Sequence, residues 1–219
     1  MPNSIISLKD ISKSYFQGGK EILVLDKVNL EIDEGEFISI TGPSGSGKTT
    51  LLNIIALIDD IDSGSVSLFG KNISSSNEKL GNELRKNNFG FVYQSSNLFE
   101  DFNAVENIAI SMILKGYSKA EAYNSSIDVL DQFGLRDRKL HFPNSLSGGE
   151  QQRVAIARAV VSKPKVIIAD EPTGNLDKNN SLIIFDYLMN FVESENITVV
   201  MATHNNELAS RSKREIKLI

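Results

Sequence analysis

The stretch Gly42-Pro43-Ser44-Gly45-Ser46-Gly47-Lys48-Thr49 constrains this chain more tightly than any other part of it. Its spacing is a glycine, four residues, then Gly-Lys-Thr, and it separates the strand-like Phe37-Ile38-Ser39-Ile40 from a breaker-free run, Lys48 to Leu57, that suits a helix. A chain turning from strand to helix through glycines can aim consecutive backbone N–H groups into one concavity, and the helix dipole adds positive charge there. The pattern is that of a phosphate-binding loop in its proper strand–helix context. Lys48 would neutralise charge on β- and γ-phosphates, and the Thr49 hydroxyl points to where Mg²⁺ would bridge them. Gly42, Pro43, Ser44, Gly45, Ser46, Gly47, Lys48, Thr49 and Thr50 are the candidate nucleotide-binding residues.

The rest of the pattern is a run of buried strands alternating with helices. Val28, Leu30 and Ile32 alternate with polar residues, and Val66-Ser67-Leu68-Phe69 and Phe89 to Tyr93 read as further strands. Polar residues 71 to 88 predict a surface loop with a short helix ending at Arg85-Lys86. From about 104 to 160 the chain turns helical, with a capping box at Ser118 to Glu121 and a stop at Gly134. Next come the apolar Val166-Ile167-Ile168-Ala169, a helix expected to group Ile183, Ile184, Tyr187, Leu188 and Phe191 on one face, and a strand from Thr198 to Thr203. This order predicts an α/β fold with a mainly parallel sheet. No internal repeat is present, and the one low-complexity tract is Ser74-Ser75-Ser76.

Composition narrows the function. With 219 residues, 41% hydrophobic and 23% charged, the chain has the make-up of one soluble globular domain. Its longest apolar run, Leu51 to Ile58, falls well short of the ~20 residues of a spanning helix, and Met1 to Asp10 has no secretory-signal pattern, so a cytoplasmic location is expected. Zero cysteines and two histidines leave oxygen as the main metal ligand. A net charge of −5 lacks the positive field of non-specific nucleic-acid binding. The basic group Arg211, Lys213 and Arg214 reads as a solvated helix end or tail, and His141 as surface.

Two carboxylates, Asp170 and Glu171, close the apolar strand at 166–169. Phosphoryl transfer needs one group in the metal shell and another to orient the attacking water, tasks that suit Asp170 and Glu171 respectively. Leu146-Ser147-Gly148-Gly149-Glu150-Gln151-Gln152-Arg153 carries a capping box, Ser147 to Glu150, and opens a helix whose N-terminus could face a γ-phosphate.

That second motif resembles the signature sequence of ABC transporter ATPases. The resemblance implies a P-loop NTPase core, an N-terminal antiparallel β subdomain, and a helical subdomain (about 95–160) inserted between P-loop and signature, all within one ATP-binding domain, 1–219. It implies ATP and Mg²⁺ as ligands and a head-to-tail homodimer in which Ser147, Gly148 and Gly149 cover the nucleotide of the other subunit. Further family positions follow in order: Tyr15 for stacking on adenine, Gln94 for reaching Mg²⁺ and the membrane partner, Gly174-Asn175-Leu176-Asp177 for sensing between subunits, and His204 for contacting γ-phosphate. The implied catalytic set is Glu171, His204 and Lys48, the metal set Thr49, Gln94 and Asp170. Two departures stand out: Asn205 where Asp usually follows the histidine, and Leu57-Ile58-Asp59-Asp60-Ile61-Asp62, which lacks the usual glycine and proline.

Pro172 to Asp177 looks like the subgroup containing lipoprotein-releasing, macrolide-exporting and cell-division ATPases, and Asp101-Phe102 with Glu106-Asn107 is most similar to the lipoprotein-releasing kind. The expectation is a peripheral ATPase on the cytoplasmic face of a bacterial inner membrane, driving lipoprotein extraction through membrane subunits that handle the cargo. A related exporter of small molecules or peptides and the cell-division complex remain alternatives. A non-transport ABC ATPase acting on DNA or ribosomes is a different-class alternative, disfavoured by the acidic balance and by the lack of coiled coils or a second ATPase unit. No direct nucleic-acid partner is expected.

Overall fold

The computed structural model describes residues 4–73 and 78–219; the Ser74-Ser75-Ser76 tract lies outside them. In chain order the elements are β1 (Ser4–Gln17), β2 (Lys20–Asp33), β3 (Phe37–Thr41), α1 (Lys48–Ile55), β4 (Ser63–Leu68), β5 (Lys71–Ile73), α2 (Glu78–Asn88), β6 (Phe89–Tyr93), α3 (Ala104–Lys115), α4 (Lys119–Gln132), α5 (Gly148–Val160), β7 (Val166–Asp170), α6 (Lys178–Glu195), β8 (Thr198–Ala202), α7 (Asn206–Ala209) and β9 (Arg214–Lys217). Among the described residues they form an antiparallel sheet of order β2-β1-β4-β5 and a parallel sheet of order β6-β7-β8-β3-β9. The fold is α/β, with α1 touching β2 of one sheet and β7 and β8 of the other.

Cover on both faces explains why the inner strands of the parallel sheet, β7 and β8 above all, are nearly continuous apolar runs. In β3, Ile38 and Ile40 join Leu51, Leu52, Ile54 and Ile55 of α1 and Ile6, Leu8 and Ile32 of the antiparallel sheet. Phe37 faces the other way, stacking on Phe185 of α6 with ring centroids 5.0 Å apart. Strands β7 and β8 divide likewise: Val166, Ile168, Val200 and Ala202 face the antiparallel sheet, while Ile167, Ala169, Val199 and Met201 face α3 to α6. Each large side chain so buried stabilises the fold by roughly 1.5–3 kcal/mol.

Two sequence expectations need correction. The buried stripe of α6 is Ser181, Ile184, Phe185 and Leu188, whereas Ile183 is 41% exposed. At 100° per residue Ile183 lies off the stripe that Phe185 joins. The basic C-terminal group is also more than a solvated tail. Arg214 lies in β9, with its Nε 3.2 Å from the buried carboxylate of Glu36, and Arg211 covers the Phe185 ring.

Register aligns the carboxyl ends of the inner strands. Tyr93 pairs with Asp170, Asp170 with Ala202, and Ala202 with Ile40, so four neighbouring parallel strands finish in one row. The residues emerging just beyond that row include Gly42, Gln94, Glu171 and His204. Ligand sites of open α/β sheets form at this carboxyl edge.

Candidate active site

A cleft of about 490 Å³ opens at that edge, lined by Tyr15, Val24, Ser44, Gly45, Gly47, Lys48, Thr49, Thr50, Gln94, Asp170, Glu171 and His204. It gathers most of the residues singled out from sequence. Gly42 and Pro43 form the back of the loop, facing a neighbouring hollow, and Ser147, Gly148, Gly149 and Asp177 do not line the cleft.

The loop is built for an anion. Gly47 precedes α1 at φ +90 and offers no side-chain cap, which leaves the N–H groups of the first turn free for a ligand. A Cβ on Gly42, at φ +153, would meet the Leu218 carbonyl at 2.5 Å and Ser46 Oγ at 2.6 Å, so only glycine lets the loop fold this tightly. Ser46 Oγ is buried beneath the loop, beside Gly42, and has no hydrogen-bond partner within the protein. Lys48 Nζ folds back onto the carbonyls of Gly42 and Pro43, 2.9 Å from each.

Beside the loop, Thr49 Oγ1 donates to Asp170 Oδ2 at 2.9 Å. Burial pushes the Asp170 carboxyl above the usual carboxylate range, with the Glu171 charge adding to the rise against the opposing effects of Thr49 and Lys48. A half-buried carboxylate short of positive charge, next to a hydroxyl, fits a divalent cation. Among the described residues no cluster of three or more His, Asp or Glu could hold a metal alone. Mg²⁺ binds through one or two protein oxygens and substrate phosphates, and Thr49 with Asp170 supplies such an oxygen pair.

Glu171 adopts φ +48, a left-handed conformation unusual for a non-glycine residue. Its Oε2 lies 2.7 Å from His204 Nδ1 and accepts a bond from the His204 N–H at 3.3 Å. Gln94 and Asn175 bond reciprocally: Gln94 Nε2 donates to Asn175 Oδ1 at 3.1 Å, and Asn175 Nδ2 donates to the Gln94 carbonyl at 3.3 Å. Tyr15 OH donates to Asp59, which also pairs with Lys13 at 3.0 Å. The segment that departs from the family pattern thus anchors the candidate adenine-stacking residue.

Ser147 caps α5 in the predicted box: its Oγ accepts from Glu150 N at 3.3 Å, and Glu150 Oε2 accepts from Ser147 N at 2.8 Å. That backbone bond, with help from Arg138, holds the Glu150 carboxyl below its usual range. Asp177 caps α6, accepting from Asn180 N at 3.0 Å. Gly149 packs so closely on Asn180 that a Cβ would lie 2.7 Å from its Oδ1. The signature turn therefore packs on the first turn of α6, and neither it nor Asp177 lines the cleft of its own chain.

To the residues the sequence singles out, the structure adds Val24 and Asp59, and it gives Asn175 a bond to Gln94. The unusual Asp59-Asp60 pair was the visible signal for Asp59, and Asn175 lay inside a recognised motif. Val24 carried no signal, since its place in the lining depends on how β2 crosses the loop.

The profile of the family described as ABC transporter matches residues 25–174. The chain belongs to the ABC transporter family. It is an ATPase cassette of that family. Relatives named "Lipoprotein-releasing system ATP-binding protein LolD" include one from Rickettsia bellii, 44% identical over 100% of this chain and 96% of the relative, and one from Roseobacter denitrificans, 42% identical with the same coverage. Among solved structures, this ABC cassette is similar to the ATP-binding cassette MJ0796 in a dimeric post-hydrolysis state bound to ADP and Pi, at TM-score 0.89 and 39% identity over 97% of this chain and 94% of that one. A further dimeric MJ0796 structure gives TM-score 0.89 at 40% identity with equal coverage. Among the described residues no helix is long and apolar enough to cross a membrane.

Proposed function

We propose that this ABC ATPase drives release of lipoproteins from a bacterial inner membrane, as a homodimer at the cytoplasmic face, with integral membrane subunits on separate chains handling the cargo. We read 1–219 as a single ATP-binding domain with a helical subdomain at about 95–160. The observation that carries the reading is the Glu171 carboxylate held by His204 beside the phosphate loop, in a chain similar along its full length to relatives named for lipoprotein release.

In this reading the adenine stacks on Tyr15 and the phosphates lie along the backbone N–H groups from Ser44 to Thr50. Lys48 turns from the Gly42 and Pro43 carbonyls to the β- and γ-phosphates. Thr49, Asp170 and Gln94 would hold Mg²⁺, which supplies positive charge against the phosphate oxygens when bound. Glu171 orients a water and takes its proton as the water oxygen bonds to the γ-phosphorus; the bond to the bridging oxygen breaks, giving ADP and phosphate. His204 holds Glu171 and contacts the γ-phosphate. Ser147, Gly148 and Gly149 present a helix N-terminus to the nucleotide of the other subunit, and Asp177 lies in the loop between subunits. Work comes from tighter binding of ATP to the closed dimer.

A cleft of about 590 Å³ between α2, β6 and α3 supports docking of a membrane subunit. Its wall includes Phe91, Phe99, Leu114 and Arg158, and Phe99 and Leu114 are 53% and 66% exposed.

The test is to copurify a tagged chain with its membrane subunits and reconstitute the complex in vesicles holding a labelled lipoprotein. ATP should release the lipoprotein to a soluble acceptor, and Glu171→Gln should stop release. Turnover stimulated by a small molecule or peptide with no lipoprotein leaving would overturn the cargo assignment; stimulation only by DNA or ribosomes would overturn transport altogether.

A further inference from the structure

Helix α5 presents Ser147 at its start, but one turn further on it carries a buried amide that the mechanism has not used. Gln152 is 3% exposed, and its Nε2 donates to the carbonyls of Tyr93 and Pro172, 2.8 Å from each. Tyr93 immediately precedes Gln94, and Pro172 immediately follows Glu171. A primary amide has two N–H donors, and here each is spent on one of the two loops that carry the active-site side chains.

We propose that Gln152 is a positioning residue for ATP hydrolysis: it ties the loop after β6 to the loop after β7, and so sets Gln94 and Glu171 relative to each other. The proposal rests on Glu171 activating the attacking water. Strands β6 and β7 already pair, but their ladder ends at Tyr93 and Asp170, just before the two functional residues leave the sheet. Beyond that point Gln152 bridges both exits from the buried side, alongside the exposed reciprocal pair of Gln94 and Asn175. Glu171, at φ +48, sits in a conformation that needs support from its surroundings, and fixing the next carbonyl gives it.

Neighbouring side chains of α5 act in the same direction. Gln151 Oε1 accepts from Ser96 Oγ at 3.2 Å, and Arg158 donates to the Ser96 and Asn97 carbonyls at 2.9 and 2.7 Å. In the function proposed above, α5 offers its N-terminus to the partner's nucleotide, while Gln151, Gln152 and Arg158 hold the loops after β6 and β7 of its own subunit. A shift of α5 when Ser147 meets γ-phosphate across the dimer would be felt through Gln152 at Gln94 and Glu171.

The test is Gln152→Met, which keeps the length and volume and removes both donors. Nucleotide affinity is read with a fluorescent ATP analogue, kcat and KM from phosphate release, and the folded fraction by circular dichroism. The expected result is kcat lower by at least ~10-fold, within the ~10²-fold that a misplacement of about 1 Å can cost. Affinity and KM should stay within about two-fold of wild type. Gln152→Asn, which keeps the amide on a shorter stem and reaches fewer carbonyls, should fall between the two, and it serves as the test if the methionine variant does not fold. A folded variant with kcat within about two-fold of wild type would overturn the proposal. So would parallel losses of kcat and affinity that track the folded fraction, because that marks a structural role alone. Glu171→Gln is measured alongside: full activity there would sink the reading of Glu171 independently of Gln152.

Discussion

His204 Nδ1 lies 2.7 Å from Glu171 Oε2, and the backbone N–H of the same histidine reaches the same oxygen. One carboxylate oxygen is thus held from two directions while Glu171 remains at the cleft. Glu171→Gln keeps shape and hydrogen bonding but cannot take a proton. The expected result is a fall in kcat of roughly 10²- to 10⁴-fold with ATP binding retained, measured by phosphate release and nucleotide titration. Light scattering should show this variant as an ATP-dependent dimer that Ser147→Arg abolishes.

Asp170 gives a prediction in which stability and activity move oppositely. Burial raises its pKa, so the charged form is disfavoured in the folded chain without a cation. For a carboxyl raised above its unfolded value of about 4, stability is lost as pH rises from that value through the folded one. Asp170→Asn should therefore melt at a higher temperature than wild type at pH 7 without nucleotide. The gain should vanish below about pH 4, where wild type is also neutral. Hydrolysis should nevertheless be largely lost, and chelating Mg²⁺ should abolish it in wild type. Calorimetry across pH, with phosphate-release assays, reads both halves.

The phosphate loop, the acidic pair and the signature helix were legible because each is local: their spacing fixes geometry within one turn or one strand end. The capping boxes at Ser118 and Ser147 fall where the pattern places them for the same reason. Contacts between distant segments were not legible. Nothing in the sequence near Gln152 announces that its amide reaches Tyr93 and Pro172, 59 and 20 residues away. Arg214 reads as tail in the sequence because its partner, Glu36, lies across the fold in the turn before β3. Apolar character alone puts Ile183 inside, but the phase of the helix that buries Phe185 turns it outward.

Tyr15 shows how a departure from pattern can carry structure. Burial alone would raise the Asp59 pKa, but hydrogen bonds from Tyr15 and Lys13 outweigh it and hold the carboxyl below its usual range. A lowered carboxylate contributes stability present above its unfolded value of about 4 and lost as pH falls through the folded one. Asp59→Ala should melt at a lower temperature than wild type at pH 7, with the difference shrinking in acid. It should also free the Tyr15 ring and weaken ATP binding several-fold, with little change in kcat. Urea melts at several pH values and nucleotide titration measure the two effects.

Gly174 controls Gln94 through space alone. A Cβ there would lie 2.8 Å from Gln94 Nε2 and 3.1 Å from its Cδ, and the three nearest atoms all belong to that side chain. Since the obstructing group is the end of a long side chain, Gly174→Ala should fold, and Gln94 should swing away from Asn175. That breaks the reciprocal pair joining the loop after β6 to the loop before α6. The expected outcome is a melting temperature near wild type and a kcat lower by roughly ten-fold, comparable to a modest misplacement of a positioned group. Asn175→Ala removes the same pair from the other side without the clash, so it should lower kcat similarly. If the two losses combine in the double variant to no more than either alone, the pair acts as one unit. Additive losses would mean that Gly174 and Asn175 act on turnover through separate contacts.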